Sequence, residues 1–309
     1  RFLRSQNYNV CYVRNVTDVD DKLINKAKAV YSNSNHFKDL ADFYYHKFVK
    51  ELDALSCLRP DAEPRVTESI DAIIIFVEAL IKKGHAYVND EGVYFSIESY
   101  KEYGQLSGRC IDGQCAGARV EVCAHKKNPF DFALWKITHD EPHWNSPWGK
   151  GRPGWHIECS TMIKEALGNS ITIHGGGNDL LFPHHENERA QSESCTGEQL
   201  AKIWMHIAFV TVKDDKMSKS LGNMVMLKDI ITKCHPMAFR LYVLNNHYRS
   251  PLSFSFETLK SFEKMYHNLV KLLLNNDNMH SFTSEDASEA QEFHDTLYEL
   301  LSCDLNTAG

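Results

Sequence analysis

Two periods of apolar and polar positions run along this chain, and they mark out its elements. Val10, Tyr12, Val13 and Val16 are β-formers, which predicts a buried strand from Asn9 to Val16. Thr17 and Asp18 follow as capping residues of a helix running towards Val30. Helices are also predicted from Asp39 to Leu55 and from Thr67 to Lys83. In the latter, Ile70, Ile73, Ile74, Val77, Leu80 and Ile81 share one side. His85 to Ile97 reads as a hairpin turning at Asp90, Glu91 and Gly92. Short strands are predicted over Arg119 to Val122, Phe132 to Lys136, Ser170 to His174 and Ile207 to Val212, with a helix starting near His184. A charged stretch, Lys213 to Asn223, precedes a helical stripe of Leu259, Phe262, Tyr266, Leu269 and Leu273, read as core of a helical bundle. Strands interleaved with helices at these lengths predict an α/β architecture.

Composition narrows the classes. The 309 residues are 43% hydrophobic and 24% charged, an ordinary globular balance. A formal net charge of -7 argues against a broadly basic, non-specific nucleic-acid binder but allows a local basic patch. No signal peptide and no membrane-spanning apolar run are visible. Nine irregularly spaced cysteines fit reduced thiols and a cytoplasmic setting rather than a disulfide framework. Cys110, Cys115 and Cys123 cluster near His125 but lack C-x₂-C spacing, so they are expected to be surface or half-buried thiols.

Four segments carry chemistry. In Pro183 to Glu188 (PHHENE), His184 and Glu188 are four residues apart on one helical face, where imidazole and carboxylate can both bind zinc. The plainer reading is a polar helix start favoured by the helix dipole. In Gly151 to Ser160, Cys159 is either a thiolate ligand to the same metal or a small buried hydrophobe. His156 and Trp155 read equally well as core residues. KMSKS, Lys216 to Ser220, offers lysines and serines on a loop, suited to phosphate charge. IHGGGND, Ile173 to Asp179, places glycines at the carboxyl end of a strand, where open α/β sheets bind nucleotides.

Together with YVRNVTDVDDK (Tyr12 to Lys22), RPDAEPR (Arg59 to Arg65) and NPFDFALWK (Asn128 to Lys136), these segments resemble the cysteinyl-tRNA synthetases, class I aminoacyl-tRNA synthetases. The likeness runs over essentially the whole chain. It implies a Rossmann-type catalytic domain in two parts, 1–84 and 144–207, interrupted by a connective subdomain at 85–143. A KMSKS and stem-contact region at 208–256 and the start of a helical bundle at 257–309 would follow. It also implies a zinc site of Cys159, His184 and Glu188, completed by a cysteine upstream of residue 1. Thr17, Trp155 and His174 would line the cysteine pocket. Gly176, Gly177 and Asp179, with Lys219, would hold ATP, and Lys216 and Lys219 would stabilise the departing pyrophosphate.

The implied reaction is attack of the L-cysteine carboxylate on ATP, with Mg²⁺, followed by transfer to tRNA(Cys), by a cytoplasmic monomer. The family's HIGH motif is not found among these residues. The chain also begins without Met, so the expectation is a piece lacking both the HIGH segment and the anticodon-binding end, inactive by itself. Two rival readings keep the scaffold: a mycothiol-type ligase joining cysteine to an amino sugar, and a degenerate zinc-binding paralogue.

Overall fold

The computed structural model describes residues 1–109, 125–212, 215–217, 224–274 and 284–305. The expected strand at Arg119 to Val122, together with Cys110, Cys115, Cys123 and Lys219, lies outside the described residues. The elements run α1 (Phe2–Ser5), α2 (Asp21–Tyr31), α3 (Phe37–Ala54), α4 (Ile70–Lys82), β1 (Ala86–Asn89), β2 (Gly92–Phe95), β3 (Phe132–Ile137) and β4 (Gly151–Pro153). They continue with α5 (Trp155–Leu167), β5 (Ile171–Gly177), α6 (Glu186–Thr196), β6 (Ala201–Ile207), β7 (Val210–Val212) and β8 (Asp215–Lys216). The last are α7 (Leu227–Ile231), α8 (Pro236–Leu244), β9 (Leu252–Ser253), α9 (Phe256–Leu274) and α10 (Ser284–Ser302). No described helix is long and apolar enough to cross a membrane.

The chain forms two compact units. The first comprises Cys11–His46 and Arg59–Met205. Its core is built on α4, whose Ile70, Ile73, Val77 and Leu80 recur at helical spacing and are buried, while Ile75 on the far side is 65% exposed. Burying each such side chain contributes roughly 1.5–3 kcal/mol. The antiparallel sheet β1-β2-β3-β4 adds Val93, Phe95, Leu134 and Trp135, all fully buried. Strand β4 pairs with β3 through Trp135 opposite Pro153 and Ile137 opposite Gly151. The Gly154 N–H donates to the Leu134 carbonyl at 2.8 Å, so α5 starts directly off this sheet. From Ile157 to Met162 every residue of α5 is buried. Strands β5 and β6 form a separate two-stranded sheet.

The second unit comprises Arg1–Val10, Lys47–Leu58 and His206–Gly309. Strands β8-β7-β9 form its sheet, with β7 and β9 parallel. Ile230, Tyr242, Phe254 and Leu259 form its core, with Phe262 packed against them. Leu269 and Leu273 are 46% and 75% exposed, so only the leading half of the predicted stripe joins a core among the described residues.

Several expected elements take a different form. The stretch from Asn9 to Val16 is no continuous strand; it makes isolated parallel bridges, Val13 to Ala62 and Val16 to Arg65. Side chains replace part of the ladder: Asp61 accepts from the Tyr12 N–H at 2.7 Å, and Arg14 pairs with Glu63. The cap of α2 is Asp20, accepting from the Leu23 N–H at 2.6 Å, and not Thr17 or Asp18. Asp18 turns inward to accept from the Thr67 N–H and hydroxyl at 3.0 and 2.6 Å. The predicted Thr67–Lys83 helix breaks at Ser69, after a 3₁₀ turn over Val66–Glu68. The predicted Ile207–Val212 strand divides between β6 and β7, where the Ala208 N–H is taken by the Tyr248 carbonyl at 2.8 Å.

Leu80 has no solvent exposure. Leu80→Ala is expected to lower unfolding free energy by about 2–5 kcal/mol, the cost of lost burial plus a cavity. Urea denaturation measures it; a loss under about 1 kcal/mol would show that this core collapses around the gap.

Candidate metal centre

Helix α6 reads ENERAQSESCT, yet Glu186, Asn187, Glu188, Gln191, Ser192 and Ser194 are all buried. Burying so polar a helix is costly where its groups lack partners, and Gln191 Oε1 and the Ser192 and Ser194 hydroxyls have none among the described residues. The others are supplied from two sides. His184, just ahead of the helix, and Glu188 and Gln191 within it recur at i, i+4 and i+7, one face of a helical turn. That face meets α5. The Gln191 side-chain amide donates to the Ser160 hydroxyl at 3.1 Å, and Ser160 in turn donates to the Glu188 carbonyl at 3.3 Å. Cys159 is the neighbour of Ser160, so this seam sets the thiol beside Glu188.

Cys159, His184 and Glu188 each offer a ligand atom, and these atoms lie within 4.8 Å of one another. All three residues are buried. Glu188 holds the centre. One carboxylate oxygen lies 2.7 Å from His184 Nε2, and the other lies 2.8 Å from His174 Nε2. Burial pushes the Glu188 carboxyl up, but hydrogen bonds from His174 and His184 outweigh it and hold the group below the usual carboxylate range. The other ring nitrogen of His184, Nδ1, is 2.9 Å from His156 Nδ1. Burial, and then the adjoining His184, lower the His156 imidazole to about 3, so it stays neutral. Burial also pushes the Cys159 thiol well up, and the nearby Glu188 and Glu158 carboxylates push it further. By itself this thiol stays protonated. A divalent cation reverses that preference by stabilising the thiolate. The donor set of one sulfur, one imidazole and one carboxylate is of the kind zinc accepts.

Trp155, 51% exposed, lies against His184 with ring centres 4.3 Å apart and planes tilted by 33°, at the rim of the centre. His174 lies on β5, its ring 4.6 Å from His185 and 4.9 Å from Trp204. A Cβ at Gly176 would fall 2.8 Å from the His185 ring, so only glycine allows that imidazole to pack against β5. The Asp179 carboxylate lies 2.6 Å from where a Gly177 Cβ would stand. Thus Cys159, His184, Glu188, His174 and Trp155 come together. Thr17 is exposed, its hydroxyl accepting from Asn15 Nδ2 at 3.4 Å. Lys216 belongs to the second unit, where β8 pairs it with Thr211.

Sequence reasoning did not foresee a second set of donors, His174, His185 and Glu188, whose ligand atoms also lie within 4.8 Å of one another. Nor did it foresee that Glu186 is completely buried. Two adjacent histidines followed by two glutamates in PHHENE were the available signal; which of them face each other is a tertiary fact.

Residues 1–264 match the family described as tRNA synthetases class I (C) catalytic domain. The chain is 48% identical to a cysteine–tRNA ligase of Aquifex aeolicus, the match covering 99% of this chain and 63% of that protein. It is 45% identical to a cysteine–tRNA ligase of a Geobacillus species, covering all of this chain and 67% of that protein. The chain therefore spans roughly two thirds of the length of these relatives. Among solved structures, methionyl-tRNA synthetase of Mycobacterium tuberculosis bound by methionyl-adenylate is similar, with a TM-score of 0.71 and 14% identity, covering 99% of this chain and 74% of that one. At that identity the likeness concerns the fold alone: a Rossmann-type α/β class I synthetase catalytic domain.

The thiols differ sharply in access, with Cys11 and Cys303 exposed and Cys159 and Cys195 buried. Burial also pushes up the thiols of Cys159 and Cys195. Iodoacetamide labelling of the folded protein, mapped by mass spectrometry, is expected to mark Cys11 and Cys303 before the other described thiols. Cys159 and Cys195 should stay unmodified until the chain unfolds. Labelling of Cys159 as fast as Cys11 would contradict the described burial.

Proposed function

The chain belongs to the family of class I (C) tRNA synthetase catalytic domains, and from that premise we propose that it is the catalytic part of a cysteine–tRNA ligase. In this reading it uses ATP and Mg²⁺ to activate L-cysteine as an adenylate, then transfers the cysteinyl group to tRNA(Cys). The observation that carries the specificity is the cluster of Cys159, His184 and Glu188 donors beneath a half-exposed Trp155.

Those three residues would hold a zinc ion. A zinc ion there supplies a soft acceptor that takes a substrate thiolate far better than a hydroxyl. Such a site answers a hard problem, because pocket shape alone separates near-isosteres poorly and serine differs from cysteine by one atom. His174 orients the Glu188 carboxylate, and His156 orients the His184 ring. Trp155, His174 and Thr17 line the cysteine pocket in this proposal. Gly176 and Gly177 let the adenosine approach the backbone of β5, with Asp179 beside them. Lys216 and Lys219 offset charge on the leaving pyrophosphate. The attacking group is the substrate's own carboxylate, so no protein nucleophile is required. The chain's contribution is positioning and charge stabilisation.

The test uses the full-length protein, replaces the native metal with Co²⁺ and records the visible spectrum during addition of L-cysteine or L-serine. The expected result is a sulfur-to-cobalt band that grows with cysteine, not with serine, and is lost in Cys159→Ala. Cysteine-dependent exchange of pyrophosphate into ATP should fall at least about 100-fold in His184→Ala, in keeping with losing an interaction made at the reacting substrate. A spectrum indifferent to cysteine would sink the discrimination mechanism. Charging of an amino sugar in place of tRNA would reassign the acceptor.

A further inference from the structure

The kink at the head of α6 poses a mechanical problem. Phe182 has φ -141° and ψ 131°, so helical geometry is broken two residues before His184. His184 therefore follows a kinked turn, held by the bond of the His185 N–H to the Leu180 carbonyl at 2.8 Å, in place of a regular helical turn. The face of α6 turned away from the metal centre supplies a further restraint. Glu186, Arg189 and Glu193 recur at i, i+3 and i+7, on the side opposite Glu188. Each reaches the turn over residues 100–109, and Glu193 also accepts from the Leu200 N–H at 3.2 Å. The Glu186 carboxyl accepts from the Gly104 N–H at 2.9 Å and the Ser107 N–H at 2.8 Å. Tyr103 donates its hydroxyl to the Asn187 side chain at 2.5 Å. Tyr100 donates to Glu193, and Arg189 pairs with both Glu193 and Glu102.

The turn is itself stiff where it grips. Gly104 has φ +92°, and a Cβ there would stand 2.0 Å from the Arg109 carbonyl oxygen. The Arg109 N–H donates to the Gly104 carbonyl at 2.9 Å, closing the turn. Its guanidinium lies 4.5 Å from the centre of the Phe182 ring, so the same turn also covers the kink. Glu186 has no solvent exposure. A buried carboxyl group is costly to desolvate, and here its bonds to the two backbone N–H groups compensate. Those bonds lock α6 to the turn in one position.

We propose that the 100–109 turn is a clamp that positions the metal donors, and that Glu186 is its positioning residue for His184 and Glu188. This rests on the metal reading above. Glu186 touches neither metal nor substrate; it acts through the first turn of α6. The consequence is specific: loosening this grip should weaken metal and cysteine binding while leaving ATP binding alone.

The experiment uses the full-length protein and measures Co²⁺ affinity, and the KM values for L-cysteine and ATP in pyrophosphate exchange, for the parent, Glu186→Ala, Glu186→Gln and Val93→Ala. The last removes core packing from strand β2 and controls for general destabilisation. Glu186→Ala is expected to bind Co²⁺ about 10- to 100-fold more weakly, the scale of losing an outer support of a metal ligand. Its KM for cysteine should rise in parallel, with the KM for ATP within twofold or so of the parent. Glu186→Gln keeps one acceptor oxygen and should fall between. Unchanged Co²⁺ affinity in Glu186→Ala, or an equal loss in Val93→Ala, would overturn the clamp while leaving the metal reading intact. A parent that binds no Co²⁺ would overturn both.

Discussion

A single carboxylate, Glu188, sits fully buried between two imidazoles, and the arrangement around it follows from that constraint. An anion in a protein interior needs compensation from close donors or cations. His174 brings one from β5 and His184 brings one from the head of α6. These two contacts tie a strand to a helix at a common point. The backbone carbonyl of Glu188 then receives Ser160, which fixes α5 alongside and sets Cys159 next to the carboxylate. The result is a sulfur, a nitrogen and an oxygen donor gathered in the same enclosed space, with the thiol held protonated by its burial and by the nearby Glu188. Chemistry and packing are therefore the same contacts seen from two sides.

The rest of the first unit supports this by pairing many, though not all, of the polar groups it buries; Glu158 Oε2 and the Ser192 and Ser194 hydroxyls stay without a partner among the described residues. Helix α6 has few apolar side chains to offer, so hydrophobic burial alone does not anchor it. The anchoring comes from hydrogen bonds on one face to α5 and on the other to the 100–109 turn. The apolar stabilisation lies nearby, in α4 and the β1-β2-β3-β4 sheet, whose Trp135, Phe95 and Leu80 exclude water completely. Such a division suits a site that has to keep the Glu188 carboxylate and its imidazole partners dry and hydrogen-bonded.

How much of this the sequence revealed depended on the range of each interaction. Local signals were legible: the spacing of Ile70, Ile73, Val77 and Leu80 located α4, and the hairpin at Asp90 to Gly92 followed from its turn residues. The donor trio was legible only through the family likeness: by themselves His184 and Glu188 also read as a polar helix start, and Cys159 as a small buried hydrophobe. Long-range choices were not. Asp18 and Asp20 are equally good caps by type, and only Thr67, 49 positions away, decides that Asp18 faces inward. Glu186 looks like a dipole-favoured helix start until the backbone of residues 104 and 107 is placed against it. His174 was read as a pocket residue from the family likeness; its bond to Glu188 joins a strand and a helix that no periodicity relates.

The claim on which all of this turns is that a metal held by Cys159, His184 and Glu188 receives the substrate's sulfur. X-ray absorption at the zinc edge, on the zinc-loaded protein with and without L-cysteine, tests it most directly. The account predicts that the number of sulfur atoms around zinc rises by one when cysteine is added and does not change with serine. A zinc environment identical in the three samples, or one without sulfur, would contradict it.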